Sequence, residues 1–393
     1  MVNMVEQQDA GEDIVIAGAG VAGLAVALGL HRKGVGCVVL ESSPVLRTSG
    51  FAIAAWTNAF RALDALGMFS FRRACVMSPT TGDVAREIDL RVQGKCGPNE
   101  ARCVQRNVLL HALEEELPPG TIRYSSKIVS IDDQDGDGDG DAKILHLADG
   151  SILRAKVLIG CDGINSVVAK WLGLAKPSDS GRRATRGHAK YPDRGQGFRA
   201  GLVPCNHTDV YWFFTWSPSP TPGGKDDAEQ NPAEMKQFVL AKLRSIKAPP
   251  EVLEAVERSE MNDVLVAPLR YRPPLSLLSA SISKGNVCVA GDALHPTTPD
   301  LAQGACVALE DAVVLARCLG DAIVGTEREV EAALRRYAGI RRWRSAQVIA
   351  ASYMVGRVQQ SDHAVVRFAR DRLLSGMLAK GLLMMPDFDC GTL

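Results

Sequence analysis

The chain has 393 residues, of which 46% are hydrophobic and 23% are charged, a composition typical of a soluble globular protein with a sizeable core. Its 45 basic and 45 acidic side chains give a formal net charge of +0. This balance argues against a nucleic-acid partner, because nucleic acids usually require a basic surface.

Ten cysteines are scattered along the sequence, and no two of them have the Cys-x-x-Cys spacing of a zinc site or a redox pair. We therefore expect no metal site, and reduced thiols in an intracellular protein. The N-terminal residues MVNMVEQQDAGED lack the features of a secretory or transit signal, so the predicted location is cytoplasmic. The longest uncharged run, 14–30, is short and interrupted by glycines, and we predict no transmembrane segment.

The first predicted elements form a β-α-β unit. Asp13–Ala17 is a short apolar run typical of a buried parallel strand, and Val21–Lys33 has the apolar spacing of a helix. Cys37–Leu40 is a second buried strand. The unit is complete within about 30 residues, the usual length of such a motif.

Three glycines, Gly18, Gly20 and Gly23, lie between the first strand and the helix in the pattern G-x-G-x-x-G. The first permits a tight turn, the second lets the backbone approach a pyrophosphate, and the third lets helix and strand pack closely. The helix N-terminus carries a partial positive charge that suits a diphosphate. Glu41 ends the next strand, where an acid can hold a ribose. This context predicts a dinucleotide site.

The next segment is predicted to contain helices at Asn58–Leu66 and Val108–Leu117, followed by paired strands at 121–131 and 143–153. The acidic run Asp132–Asp141 between these strands has aspartates at the spacing of a calcium loop. A histidine occupies the position of that loop's bidentate glutamate, so an exposed hairpin tip is favoured.

The α/β pattern continues with a buried strand at Val157–Gly160, and it returns with a strand at Val287–Ala290. Residues 179–282 between them are richer in Pro, Arg and aromatic residues, and Tyr211–Trp216 indicates a sheet. We predict an α/β fold in which a Rossmann-type domain contains an inserted sheet-based domain and is followed by C-terminal helices. The predicted parts are 1–178 and 283–345 for the Rossmann-type domain, 179–282 for the insert and 346–393 for the C-terminal helices.

Several segments resemble the fingerprints of class A, single-component flavoprotein aromatic monooxygenases, in the order and spacing of that family. These segments are the glycine motif, Glu41–Arg47, Gly50–Ile53, Asn58–Gly67, Cys161–Ser166, Gly291–Pro296 with Pro299 and Gln303-Gly304, and the helix carrying Arg106, Leu109 and Leu113. Three segments are most similar in amino-acid sequence to the plant monooxygenase 1-like branch of this family: Val104–Arg106, Leu269–Pro274 and Glu310–Arg317. The resemblance covers most of the chain. It implies that the Rossmann-type domain binds FAD and that the insert binds the substrate.

Carried over by position, the resemblance also implies the residues that contact FAD. They are Gly18, Gly20, Ala22 and Gly23 at the diphosphate, Glu41 at the adenosine ribose, Arg47 and Arg106 on the diphosphate side, Asp162 for FAD and NAD(P)H, Asp292 at the ribityl chain, and the backbone of Gln303, Gly304 and Ala305 at the isoalloxazine. Two alternatives stay open: Asp292 as a helix N-cap, and Asp162 as an ordinary turn residue.

The reaction implied by the resemblance begins with reduction of FAD by NAD(P)H. Dioxygen then adds at the flavin C4a, and the hydroperoxide transfers one oxygen atom to a small aromatic or similarly electron-rich substrate. A second glycine pattern, Gly195–Ala200, has no buried strand before it, so the nicotinamide would react without a domain of its own. The sequence departs from the family in two places: Val168–Lys170 lies where an arginine is usual, and Ala302 lies where many members have glycine.

Substrate contacts are expected from the insert. Arg199 could pair with a carboxylate or phenolate, Tyr211 could donate a hydrogen bond, and His188 could deprotonate a phenol near neutral pH. For each of the three, a purely structural role stays open. Two other functions also stay open: an FAD-dependent epoxidase or reductase acting on a lipid-like substrate, and a non-catalytic FAD-binding protein.

Overall fold

The computed structural model describes residues 11–47, 52–68, 93–94, 97–98, 100–133, 142–190, 202–204, 209–216, 231–245, 248, 250–260, 265–323, 326–359 and 384–393. Within these ranges, no helix is both long and apolar enough to cross a membrane. The segment 134–141, which contains most of the calcium-like run, lies outside the described residues.

The described helices are Val21–Arg32 (α1), Thr57–Ala65 (α2), Arg106–Glu115 (α3), Val167–Trp171 (α4), Pro232–Ser245 (α5), Pro250–Arg258 (α6), Ser276–Ser279 (α7), Gly304–Gly320 (α8) and Glu327–Gln359 (α9). Short 3-10 helices lie at Gly291–Ala293 and Pro299–Leu301. The strands are Gly11–Ala17 (β1), Val38–Leu40 (β2), Ala52–Trp56 (β3), Gln93–Gly94 (β4), Gly97–Pro98 (β5), Ala101–Gln105 (β6), Ile122–Arg123 (β7), Ile128–Asp133 (β8), Lys143–Leu147 (β9), Ile152–Gly160 (β10), Ser178–Lys190 (β11), Leu202–Pro204 (β12), Asp209–Trp216 (β13), Leu265–Tyr271 (β14), Ser283–Lys284 (β15) and Val287–Val289 (β16).

The main sheet is centred on β1, which pairs in parallel with β10 on one side and β2 on the other. The parallel strands β16 and β7 extend it on either side. Ile14, Val15 and Ile16 of β1 are fully buried, as expected for a parallel strand that is covered on both faces. The predicted Rossmann-type architecture is confirmed.

The region 143–160 differs from the sequence prediction. We expected one strand at 143–153 and another at Val157–Gly160, whereas β9 ends at Leu147 and β10 runs unbroken from Ile152 to Gly160. The first half of β10 pairs antiparallel with β9, and its second half pairs in parallel with β16. A turn at 148–150 separates the strands, because the sequence Ala-Asp-Gly there ends β9.

The helix α1 packs against α8 in the main hydrophobic core. A Cβ atom placed on Gly29 would lie 2.7 Å from the Cβ of Ala316, so the two helices approach more closely than a larger side chain would allow. Ten consecutive residues of α1, 21–30, are buried. This explains the long uncharged run in the sequence.

The insert contains a four-stranded antiparallel sheet in the order β12-β13-β11-β14. Trp212 of β13 packs with α5 and α6 in a separate hydrophobic cluster, and its indole nitrogen donates to Ser259 Oγ at 2.7 Å. The sheet was predicted, but these two helices were not. The division of the chain into parts stays a proposal, and the boundary proposed at residue 345 falls inside the continuous helix α9.

Candidate active site

A cleft of about 760 Å³ lies between the two sheets, where β1, β2, β10 and β16 of the main sheet end. This is the edge at which parallel sheets bind ligands. The predicted site residues that line the cleft are Gly18, Gly20, Ala22, Glu41, Arg47, Arg106, Asp162, Tyr211, Asp292, Gly304 and Ala305. The structure therefore brings together residues that are up to 287 positions apart in the sequence, from Gly18 to Ala305.

Four other predicted residues are placed differently. Gly23 and Gln303 are described but do not line the cleft. Arg199 lies outside the described residues, and His188 belongs to a described strand although its side chain is not described. No group of three or more His, Cys, Asp or Glu side chains in the described part of the chain could hold a metal ion.

The glycine turn brings the backbone of β1 against that of β10. Gly18 has φ +97°, and a Cβ atom there would lie 2.6 Å from the carbonyl oxygen of Cys161. A Cβ on Gly20 would meet nothing within 4 Å, so this side of the turn is open to the cleft. Because the 12-residue helix α1 begins directly afterwards, its free N–H groups and partial positive charge are presented to a ligand.

Glu41 is buried at the base of the turn and holds it in place. Its Oε2 accepts a hydrogen bond from the Ala19 N–H at 2.9 Å, and its Oε1 accepts from the Ser43 N–H at 2.9 Å and from Arg47 Nε at 3.1 Å. Glu41 therefore shapes the glycine turn in addition to lining the cleft.

Two cations lie together beside the N-terminus of α1. Arg106 Nη1 donates to the backbone carbonyl of Arg47 at 2.5 Å. Burial, and then the charge of Arg47, lower the pKa of Arg106 from its usual value, although Asp292 and Glu41 act in the opposite direction. A pair of guanidinium groups next to a helix N-terminus suits an anion such as a diphosphate.

The two predicted aspartates have different surroundings. Asp162 Oδ2 accepts a hydrogen bond from the Val167 N–H at 2.7 Å in the first turn of α4, whose N-cap residue is Ser166, and burial raises the pKa of the Asp162 carboxyl group. The turn interpretation of Asp162 thus has a structural basis, yet the residue also faces the cleft. Asp292 is exposed to the cleft in the 3-10 helix after β16. Lys170, which follows in α4, is exposed and does not line the cleft.

The 294–303 loop connects this 3-10 helix with α8. Ala302 has φ +51°, the left-handed conformation that favours glycine over alanine. The side chain of Gln303 is buried, and its Oε1 accepts a hydrogen bond from Asn58 Nδ2 at 2.9 Å. The first turn of α8 lines the cleft through Gly304 and Ala305, so this helix also presents its N-terminus there.

A buried ionic network lies behind this loop. Asp311 accepts from the Gly291 N–H at 2.8 Å and from Arg341 Nε at 2.5 Å, and it pairs with His295 Nε2 at 2.6 Å. Glu310 binds Arg341 and Arg344. Burial opposes ionisation of Glu310, but the two arginines outweigh it, and the pKa of Glu310 is lowered from its usual value.

Sequence reasoning missed this network. Its signal was the pair of acidic residues within the apolar stretch of α8.

The opposite wall of the cleft is formed by alternate residues of β13. Tyr211, Phe213 and Thr215 line the cleft, with the two aromatic ring centroids 6.1 Å apart. The intervening Trp212 points to the other face, into the hydrophobic cluster. Only Tyr211 was predicted, although the two-residue period of a strand would have indicated Phe213 and Thr215 as well.

Comparison with known proteins agrees with this geometry. The family model described as "FAD binding domain" matches residues 12–352. The chain is 42% identical to Monooxygenase 2 of Arabidopsis thaliana, covering 98% of this chain and 99% of the relative. It is 35% identical to Monooxygenase 1 of the same plant, covering 97% and 99%. A Klebsiella pneumoniae protein solved with FAD and uric acid has a TM-score of 0.72 at 21% identity, covering 96% of this chain and 98% of that one.

Proposed function

The chain belongs to the FAD-binding family of class A flavoprotein monooxygenases, and from this premise we propose that it uses a reduced nicotinamide and dioxygen to hydroxylate a small aromatic or similarly electron-rich compound. One observation carries the proposal. A single cleft has one wall suited to FAD and an opposite wall that presents aromatic side chains.

The FAD wall fits the cofactor in charge and in shape. The N-terminus of α1, with Arg47 and Arg106 beside it, would hold the diphosphate, and Glu41 would hold the adenosine ribose. Asp292 would accept hydrogen bonds from the ribityl chain. The N-terminus of α8 would face the isoalloxazine and would stabilise negative charge on it, because the free N–H groups of a helix end point outward.

FAD, when bound, accepts electrons from NAD(P)H and activates dioxygen. The protein's part is to bind, to orient and to exclude water. We propose that the nicotinamide reacts transiently at this cleft, since the sequence has one credible dinucleotide fingerprint. Asp162 would contribute at that stage, beside its hydrogen bond to the first turn of α4.

The aromatic wall would orient the substrate. Phe213 lines the cleft and is 42% exposed, so a flat aromatic substrate would cover its ring. Tyr211 would donate a hydrogen bond to a polar substituent. Arg199 and His188 are proposed as the residues that hold an anionic group and deprotonate a phenol.

The test begins with an absorption spectrum of the purified protein. Oxidation of NADPH and of NADH is then measured with a panel of phenols and aromatic acids, together with hydrogen peroxide release and the mass of the product. Bound flavin, oxidation accelerated by one compound, little peroxide and a product containing one added oxygen atom would support the proposal.

Bound flavin that neither nicotinamide reduces would refute it and would favour a non-catalytic FAD-binding protein. Product formation only with lipid-like substrates would favour the epoxidase or reductase alternative.

A further inference from the structure

A buried ion pair joins the substrate sheet to the 294–303 loop. Arg182 of β11 donates from Nη1 to Asp300 Oδ2 at 2.9 Å and from Nη2 to Asp300 Oδ1 at 2.7 Å. The two side chains are only 4% and 6% exposed. Asp300 also lines the cleft, so the pair lies at the point where the two walls meet.

The backbone of β11 is shaped to direct Arg182 inward. The register with β14 shifts between Asp179 and Arg183, and Gly181 in this bulge has φ +72°. Bulges change the direction in which a side chain points, and they occur next to active sites. The neighbouring Arg183 is bonded within its own strand, to Asp179, which is 46% exposed.

The helix α9 supports the same junction from behind. A Cβ atom on Gly356 would collide with Arg182 Nη1 and with the carboxylate of Asp300, so only glycine leaves room for the pair there. One turn earlier, Ser352 Oγ donates to the backbone carbonyl of Thr298 at 2.5 Å. One face of α9 therefore holds the loop at two points.

We propose that Arg182 and Asp300 are a positioning pair that sets the separation between the substrate sheet and the 294–303 loop. The loop leads into the N-terminus of α8, so its position decides how far that N-terminus, which would face the isoalloxazine, lies from Tyr211 and Phe213. A two-point contact between planar groups fixes orientation as well as distance, which a single-point contact does not. The proposal rests on the proposed function, because the separation matters for excluding water during hydroxylation.

The test compares Arg182→Lys with Arg183→Lys. Both variants keep the charge and lose the planar fork of an arginine in the same strand, but only the first affects the junction. Three readouts are used on the FAD-loaded full chain. They are amide hydrogen exchange in the 294–303 loop, the fraction of oxidised NADPH recovered as peroxide with the phenol that accelerates oxidation most, and the KM and kcat for that phenol.

We expect Arg182→Lys to speed loop exchange by about tenfold and to raise the peroxide fraction at least about twofold, while the KM for the phenol rises more than kcat falls. Arg183→Lys should match the wild type in all three readouts. Unchanged loop exchange in Arg182→Lys would overturn the proposal.

If Arg182→Lys does not fold, the double variant Arg182→Met/Asp300→Leu is used in the exchange measurement instead. It removes both charges of the pair and so leaves no unpaired buried charge. Faster loop exchange in this variant supports the proposal, and exchange at the wild-type rate overturns it. Hydrogen exchange does not depend on turnover, so it tests the pair even if no phenol is hydroxylated. Efficient hydroxylation with unchanged exchange would refute the pair alone.

Discussion

Replacement of Gly291 by alanine should damage the cofactor site through one identifiable contact. This residue precedes Asp292, has φ +60° and donates its N–H to Asp311. A Cβ atom at position 291 would lie 2.6 Å from the Cβ of Ala22, in the first turn of α1. The substitution would therefore push the turn that carries Asp292 away from the helix that would hold the diphosphate.

The chain offers a matched control in Gly285. It has a similar φ of +55°, but a Cβ atom there would meet nothing within 4 Å. Both alanine variants carry the left-handed backbone cost of about 1–2 kcal/mol, offset by about 0.4–1 kcal/mol from a less disordered unfolded state. Only Gly291→Ala adds an overpacking cost, about 1–3 kcal/mol. That cost should be the difference between the two free energies of unfolding.

The assay is urea unfolding of both apo-variants, followed by titration with FAD monitored by flavin fluorescence. Gly291→Ala should bind FAD at least about threefold more weakly than the wild type, since about 0.7 kcal/mol of misplacement is enough for that factor. Gly285→Ala should bind FAD as the wild type does. Equal losses of unfolding free energy in the two variants, or unchanged FAD binding in Gly291→Ala, would refute the reasoning.

Three further substitutions test other parts of the site. Glu310→Gln should lower the free energy of unfolding by about 3–5 kcal/mol in a urea titration, because it leaves the Arg341 and Arg344 guanidinium groups buried with one fewer negative charge. The pKa of Glu310 is lowered in the folded state, so ionised Glu310 stabilises the fold fully above the unfolded pKa of about 4.3, and this stabilisation is lost as the pH falls below that value. The free energy of unfolding of Glu310→Gln should therefore fall less steeply with decreasing pH than that of the wild type. Ala302→Gly should raise the free energy of unfolding by up to about 1 kcal/mol, since relief of the left-handed strain exceeds the added disorder of the unfolded chain; a loss of stability would contradict this. Glu41→Gln should weaken FAD binding about tenfold in a fluorescence titration. The two carboxylate oxygens of Glu41 accept from the backbone N–H groups of Ala19 and Ser43, and in glutamine one of these oxygens is replaced by an NH₂ group, which cannot accept a hydrogen bond.

The structural features that were predicted correctly from the sequence are those set by residues close together in the chain. The strand, glycine turn and helix around Gly18 are set by apolar runs and by backbone conformations that only glycine adopts easily, and both can be read within about 30 residues. The alternation in β13 could likewise be read locally. Tyr211 was predicted as a substrate contact, but sequence alone left a structural role open for it, because the face of β13 that meets the cleft depends on where α5 and α6 pack.

The ionic contacts could not be predicted for a different reason. Arg182 and Asp300 are 118 positions apart, and Arg341 lies 30 positions from Asp311. A charged residue in a sequence does not reveal its partner, because the pairing depends on the path of the whole chain. The family resemblance supplied the residues proposed to face FAD, but it gave no information on the contacts of the residues behind them.

The main sheet is assembled from distant parts of the chain, and this has a consequence for synthesis in the cell. The strand β1 pairs with one edge of β10, which ends at Gly160. The other edge of β10 pairs with β16, which begins at Val287. A nascent chain that stops short of β16 leaves the edge of β10 unpaired and the apolar helix α1 without α8. Such an intermediate exposes both a strand edge and a hydrophobic surface, so we expect it to require chaperone protection and to acquire FAD only after most of the polypeptide has emerged from the ribosome.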